Sequence, residues 1–242
     1  MPASSNIIWS SVSSELRLGG APLQLKVSPR AARMRLRIDP RSRAVLLTVP
    51  RRVSQRRALA WAAQHEQWVE RTLAAIPEAA AIGPGSTIVL AGAPHVLDWD
   101  PAAPRRIAVV DGRLLAGGPA EALERRVLRW LKARARTLLE AETRALAATI
   151  GVEVKRVAVG DPVSRWGSCS GDGAIRYSWR LIMAPDFVRK ATIAHEVAHL
   201  VHMNHGPEFH ALVEDLLGQD PKPARLWLRR EGAGLHRIGR SG

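Results

Sequence analysis

A single cysteine in 242 residues means that no disulfide can close within this chain, and nothing in it points to an oxidising compartment. Aromatic residues make up only 5% of the chain, and no apolar run approaches the ~18 residues that a membrane span requires. The opening stretch MPASSNIIWSSVSSE has neither the basic start nor the apolar stretch of a secretory signal. Together these absences set the expectation of a soluble cytoplasmic protein with no membrane contact. Acidic residues are also scarce: 22 Asp and Glu face 36 Lys and Arg, for a formal net charge of +14.

What is present suffices for a folded protein. Apolar residues are 46% of the chain, which excludes wholesale disorder, and the length allows one large domain or two small ones. Of the 36 cations, 31 are arginine. Cations outnumber acids 8 to 2 in residues 1–50 and 10 to 5 in 101–150, and the rest of the chain is nearly balanced. Clustered arginine suits a polyanion or nucleic-acid contact through the N-terminal region, because guanidinium binds phosphate bidentately. A merely solvated face is the plainer alternative.

The pattern predicts an α+β fold. Residues 1–20 are rich in Ser and Gly and read as a flexible N-terminus. Residues 21–118 read as a β-rich region with one helix. Three alternating runs (Leu23, Leu25, Val27; Met34, Leu36, Ile38; Val45, Leu47, Val49) predict a half-buried antiparallel sheet, with a tight turn at Asp39–Ser42. Ser54 caps a helix expected to run to about Ala75, with Leu59, Ala62 and Trp68 on one stripe. Strand-like runs at Thr87–Leu97 and Arg106–Leu115 precede a long helix over about Ala120–Thr149. Residues 119–242 read as a hydrolase core. There, strands near Val152–Val159 and Ala174–Ile182 lead into a helix from Pro185, and two short helices open on Pro207 and Pro223.

The helix from Pro185 contains His195-Glu196-Val197-Ala198-His199. Residues i and i+4 share a helix face, so both imidazoles can meet one metal ion, and Glu196 lies beside that ion as a general base on water. A third ligand is needed. His202 lies ~10 Å along the axis from His195, too far for one metal. His205 becomes reachable if the chain reverses just before it, with Asn204 in a left-handed helix-ending conformation, and it is the preferred ligand. Glu214 is the alternative, and His202 is read as a polar neighbour. The fourth position stays open, as in catalytic zinc sites.

Three stretches resemble the YgjP-like metallopeptidase family, which is related to SprT-like and other zincin proteins. They are Ser164-Arg165-Trp166-Gly167-Ser168-Cys169-Ser170, Trp179-Arg180-Leu181-Ile182-Met183-Ala184-Pro185, and His195 through Phe209. The resemblance implies a zincin-like core, a small antiparallel sheet packed on a metal-bearing helix. It also implies one Zn²⁺ per chain on His195, His199 and His205, with Glu196 as the general base. The chain departs from the family at His210, where a large aromatic is usual, and at Ser178, where asparagine is common.

Arg165 and Arg180 are candidates to hold a substrate carboxylate, a phosphate or a developing oxyanion, and a structural ion pair is the competing reading. Tyr177, the only tyrosine, is a candidate donor to a tetrahedral intermediate or a packing residue. His202 joins these as a possible substrate contact, and Cys169 reads as a packing residue beside Trp166. The function most consistent with these residues is a zinc-dependent metallopeptidase acting on peptide. The first alternative, which the family resemblance implies, is a nucleoside triphosphate pyrophosphatase acting on UTP-like substrates at the same site. The second is an arginine-rich nucleic-acid-binding module with a structural metal.

Overall fold

The structure is a computed structural model, and it describes residues 16–239. Residues 1–15 of the N-terminal segment expected to be flexible lie outside the described residues. The chain forms two compact units that divide between Pro77 and Glu78. The fold is mixed α+β, with six α-helices and three small sheets among the described residues. None of those helices is long and apolar enough to cross a membrane.

The first unit holds β1 (Arg17–Leu18), β2 (Ala21–Ser28), β3 (Arg35–Ile38) and β4 (Val45–Pro50) in the order β1-β2-β4-β3. The three alternating runs are strands as expected, but the sheet is not antiparallel throughout. β3 and β4 form an antiparallel hairpin, and β4 then inserts beside β2 in parallel register, Leu25 opposite Leu47. Alternation fixes which face is buried and is silent on strand order. The expected single helix is two, α1 (Gln55–Ala63) and α2 (Glu66–Ala75). Ser54 does cap α1, its hydroxyl accepting from the Arg57 N–H. The helix breaks at His65, whose ring nitrogen turns back to the Trp61 carbonyl at 2.9 Å. The buried stripe is therefore Ala58, Ala62, Val69 and Leu73, and Trp68 is 40% exposed.

The second unit begins with β5 (Thr87–Leu90), β6 (Ala93–Asp100), β7 (Ala108–Val110) and β8 (Arg113–Gly117). Their order, β5-β6-β8-β7, repeats that of the first unit: two antiparallel hairpins joined by a central parallel pair. The boundary expected near residue 118 falls inside this unit. The reason is packing: Ile88, Leu90, Leu97 and Leu114 share one core with Leu123, Leu131 and Leu139 of the long helix α3 (Leu123–Thr149).

α3 buries every fourth residue from Leu123 to Leu139 and continues with Thr143 and Ala147. After it come β9 (Arg156–Gly160), β10 (Gly167–Cys169) and β11 (Ala174–Ser178). This sheet is also mixed where a small antiparallel one was expected, since β11 pairs antiparallel with β10 and parallel with β9. β11 ends earlier than expected, because Trp179–Ile182 tighten into a 3₁₀ turn capped by the Ser178 hydroxyl. Then α4 (Asp186–Ala198), α5 (Pro207–Leu217) and α6 (Lys222–Leu235) complete the unit. α4 is fastened to α3 by Arg189, which is buried. Its Nε and Nη2 donate to both carboxylate oxygens of Glu142 at 2.8 and 2.9 Å, and Nη1 donates to Asp186 at 2.7 Å.

Candidate metal centre

α4 ends at Ala198, so the chain starts to reverse immediately at His199 rather than at Asn204. Leu200 and Val201 close 3₁₀-type bonds onto Val197 and Ala198. Asn204 is not among the residues with positive φ, so the left-handed exit expected there is replaced by this gradual unwinding and by a Gly206 N–H bond to the Asn204 carbonyl at 2.9 Å. α5 then restarts on Pro207 and docks against the end of α4 through Phe209 and Val213, which pack on Ala198.

That turn brings three imidazoles together. One ring nitrogen from each of His195, His199 and His205 lies within 4.8 Å of the others, and the Nε2 atoms of His195 and His205 are 3.3 Å apart. Glu214 is not part of this group. His199 is the buried member and His205 the exposed one, so the cluster is closed on one side and open on the other. The Nδ1 of His199 is bonded to the His202 carbonyl at 3.1 Å, which fixes the ring and leaves Nε2 for a metal. Burial lowers the pKa of His195 to about 4, helped by the charges of His199 and His205, and burial also lowers that of His199. Both rings are thus held neutral, the form that ligates.

Phe209 sits beneath all three. Its ring centroid is 4.9 Å from that of His195, 4.5 Å from His199 and 4.7 Å from His205. It is buried and apolar, so it fixes the three rings and adds no competing donor. Histidine spacing alone does not point to Phe209; its signal in the sequence is an aromatic four residues past His205 on the next helix.

Glu196 is the buried carboxylate of the site. Burial raises its pKa to about 7, and the positive charge of Arg165 opposes that rise. Its Oε2 is shielded from solvent and makes no hydrogen bond. Glu196 and His195 line one cavity of about 240 Å³ with Trp166, Thr192, Val213 and Leu228. β10 passes directly against the carboxylate, and this explains the glycine of the Arg165-Trp166-Gly167-Ser168-Cys169 stretch. A Cβ at Gly167 would lie 2.7 Å from Cγ and Cδ of Glu196 and closer still to Oε1. Trp166 is held by stacking on His236, centroids 5.0 Å apart, and by Gly232, whose missing side chain makes room for the indole.

The remaining candidates separate. Arg165 is exposed and acts on Glu196 through space. Arg225, which the spacing analysis did not single out, lines the cavity and acts on His195 in the same way. His202 contributes its carbonyl to His199, and its ring faces Glu208 at 3.8 Å. Tyr177 is fully buried and shares a 3.1 Å hydrogen bond with Thr143, so it is a core residue. Arg180 is 2% exposed and clamped by Asp161 at 2.8 and 3.3 Å and by the carbonyls of Leu235 and Ile238. It is a structural ion pair tying the C-terminal segment down. Cys169 is half-buried, and burial with the nearby Glu196 charge pushes its thiol up to about 11, so it is a poor nucleophile. Of the two departures noted in the sequence, His210 lines the cavity, whereas Ser178 is buried and caps the 3₁₀ turn.

A family model described as the YgjP-like metallopeptidase domain matches residues 32–231, most of the chain and all of the site above. No curated protein and no solved structure matches the chain.

Proposed function

The chain belongs to the YgjP-like metallopeptidase family, and on that premise we propose that it is a zinc-dependent peptidase whose ligands are His195, His199 and His205 and whose general base is Glu196. The fold around them is then a zincin-like core. Three imidazoles with one open side suit Zn²⁺ by ligand type and number. When bound, Zn²⁺ supplies Lewis-acid polarisation of the scissile carbonyl and acidifies a water.

The protein's part is to hold and move the proton. Glu196 takes it from the attacking water onto its carboxylate, one oxygen of which no hydrogen bond ties down, and passes it to the leaving amine nitrogen. Gly167 keeps the space that lets the carboxylate sit there. The single observation that carries the assignment is this buried carboxylate without a hydrogen bond to Oε2, beside three converging histidines. A structural metal site has no use for it, and that argues against the nucleic-acid-binding module.

A second reading is supported by Arg165 and Arg225, whose charges act on Glu196 and His195. Two cations whose charge reaches the site suit hydrolysis of a nucleoside triphosphate anhydride by the same machinery. A parallel assay of zinc-loaded protein on casein-derived peptides and the four nucleoside triphosphates separates the two. Peptide hydrolysis is expected, reduced by about a hundredfold or more in Glu196→Gln with metal content unchanged. Triphosphate hydrolysis without peptide hydrolysis moves the assignment to the second reading. Activity that survives in Glu196→Gln contradicts both.

A further inference from the structure

The second unit holds another cavity besides the one at the metal centre. It has a volume of about 930 Å³ and shares no lining residue with the cavity at His195 and Glu196. Its wall is α3, and its floor is Trp179, Arg180 and Asp161. Arg125, Arg129 and Lys132 project from α3 at spacings of i, i+4 and i+7, so they fall within ~60° of one another around the helix and span roughly 10 Å along it. All three are exposed, and none is paired with a carboxylate. Lys132 lies over the Trp179 ring at 6.0 Å from its centroid, and Arg180 covers the same ring at 4.4 Å.

Two carboxylates also line this space, and they do not cancel the row of cations. Asp161 pairs with Arg180, and Glu124 is one carboxylate beside the three cations Arg125, Arg129 and Lys132. The floor is also rigid, because Arg180 is buried and held at four points and Trp179 is 1% exposed. A shallow, solvent-open concavity with a linear row of cations on one helix face suits an elongated anion. Guanidinium forks favour phosphoryl oxygens over isolated carboxylates, and three cations in a row match successive phosphoryl groups.

The geometry points to a second ligand site at this cavity, one that binds a small oligophosphate anion through Arg125, Arg129 and Lys132. The site is independent of the hydrolase reading. It also gives part of the basic excess of residues 101–150 a use. The anion is short because the row of cations spans only roughly 10 Å of α3.

Calorimetric titration of chelator-treated, metal-free protein with tripolyphosphate at low salt tests this without interference from the histidine cluster. Saturable one-to-one binding is expected, at least about tenfold weaker in Arg125→Ala/Arg129→Ala and unchanged in His195→Ala. The control pair Arg134→Ala/Arg156→Ala removes the same charge from exposed positions that do not line the cavity, and it is expected to leave binding intact. Far-UV circular dichroism verifies that each variant is folded. The proposal is overturned by any one of four results: no saturable binding, binding indifferent to Arg125 and Arg129, equal weakening by the control pair, or loss in His195→Ala. Binding of an oligothymidylate in the absence of tripolyphosphate binding also overturns it, in favour of a nucleic-acid surface.

Discussion

Gly167 is the residue that most constrains the candidate site, because the β10 backbone passes where a side chain would strike Glu196. Gly167→Ala is therefore expected to lower kcat/KM by about a hundredfold, the cost of displacing a reacting group by ~1 Å, with metal content unchanged. Unchanged kinetics would mean that the position of Glu196 is not critical. Tyr177 provides the opposite test. Its hydroxyl is bonded to Thr143 inside the core, so Tyr177→Phe is expected to cost about 1 kcal/mol in a denaturation experiment and to leave kcat/KM alone. A large loss of kcat at full stability would restore it as a catalytic donor. At this scale the histidines and Glu196 were legible in the sequence because helical spacing is short-range geometry. The burial of Arg180 and Tyr177 was not, since the sequence does not reveal whether a polar group's partner, Asp161 or Thr143, waits in the core.

At the scale of elements, the end of α4 and the start of α5 decide whether a third histidine reaches the first two. α4 stops at Ala198, and Phe209 packs α5 back onto that end. Phe209→Ala is expected to destabilise the protein by about 3–5 kcal/mol and to loosen the hold on metal, because one ring touches all three imidazoles. Chemical denaturation and metal retention on dialysis measure the two effects. A variant that loses stability and keeps its metal affinity would leave Phe209 as core alone. The choice of His205 followed from the need for a reversal, whereas its mechanism did not. The sequence suggested one left-handed residue, and the chain instead unwinds over Leu200 and Val201. The strands were found for a similar reason: alternation marks buried faces. Their parallel central pairs were missed because pairing order depends on which hairpin docks beside which.

For the molecule as a whole, the boundary expected near residue 118 lies within the second compact unit, residues 78–242. A change from strands to a long helix looks like a domain boundary in sequence, yet the β5–β8 sheet and α3 bury one continuous set of apolar side chains. The two four-stranded sheets share one topology without a sequence repeat, so three-dimensional order alone reveals the likeness. Individual arginines have separate uses: Arg180 and Arg189 are buried in ion pairs, Arg165 and Arg225 act on the candidate metal centre, and Arg125 and Arg129 line the second cavity. The central claim is that three histidines, two on α4 and one after its reversal, hold a catalytic metal. Elemental analysis of purified wild-type, His205→Ala and Glu214→Ala proteins tests it most directly. One zinc per chain is expected in wild type and in Glu214→Ala, with occupancy collapsing in His205→Ala; full occupancy in His205→Ala together with its loss in Glu214→Ala would contradict the assignment.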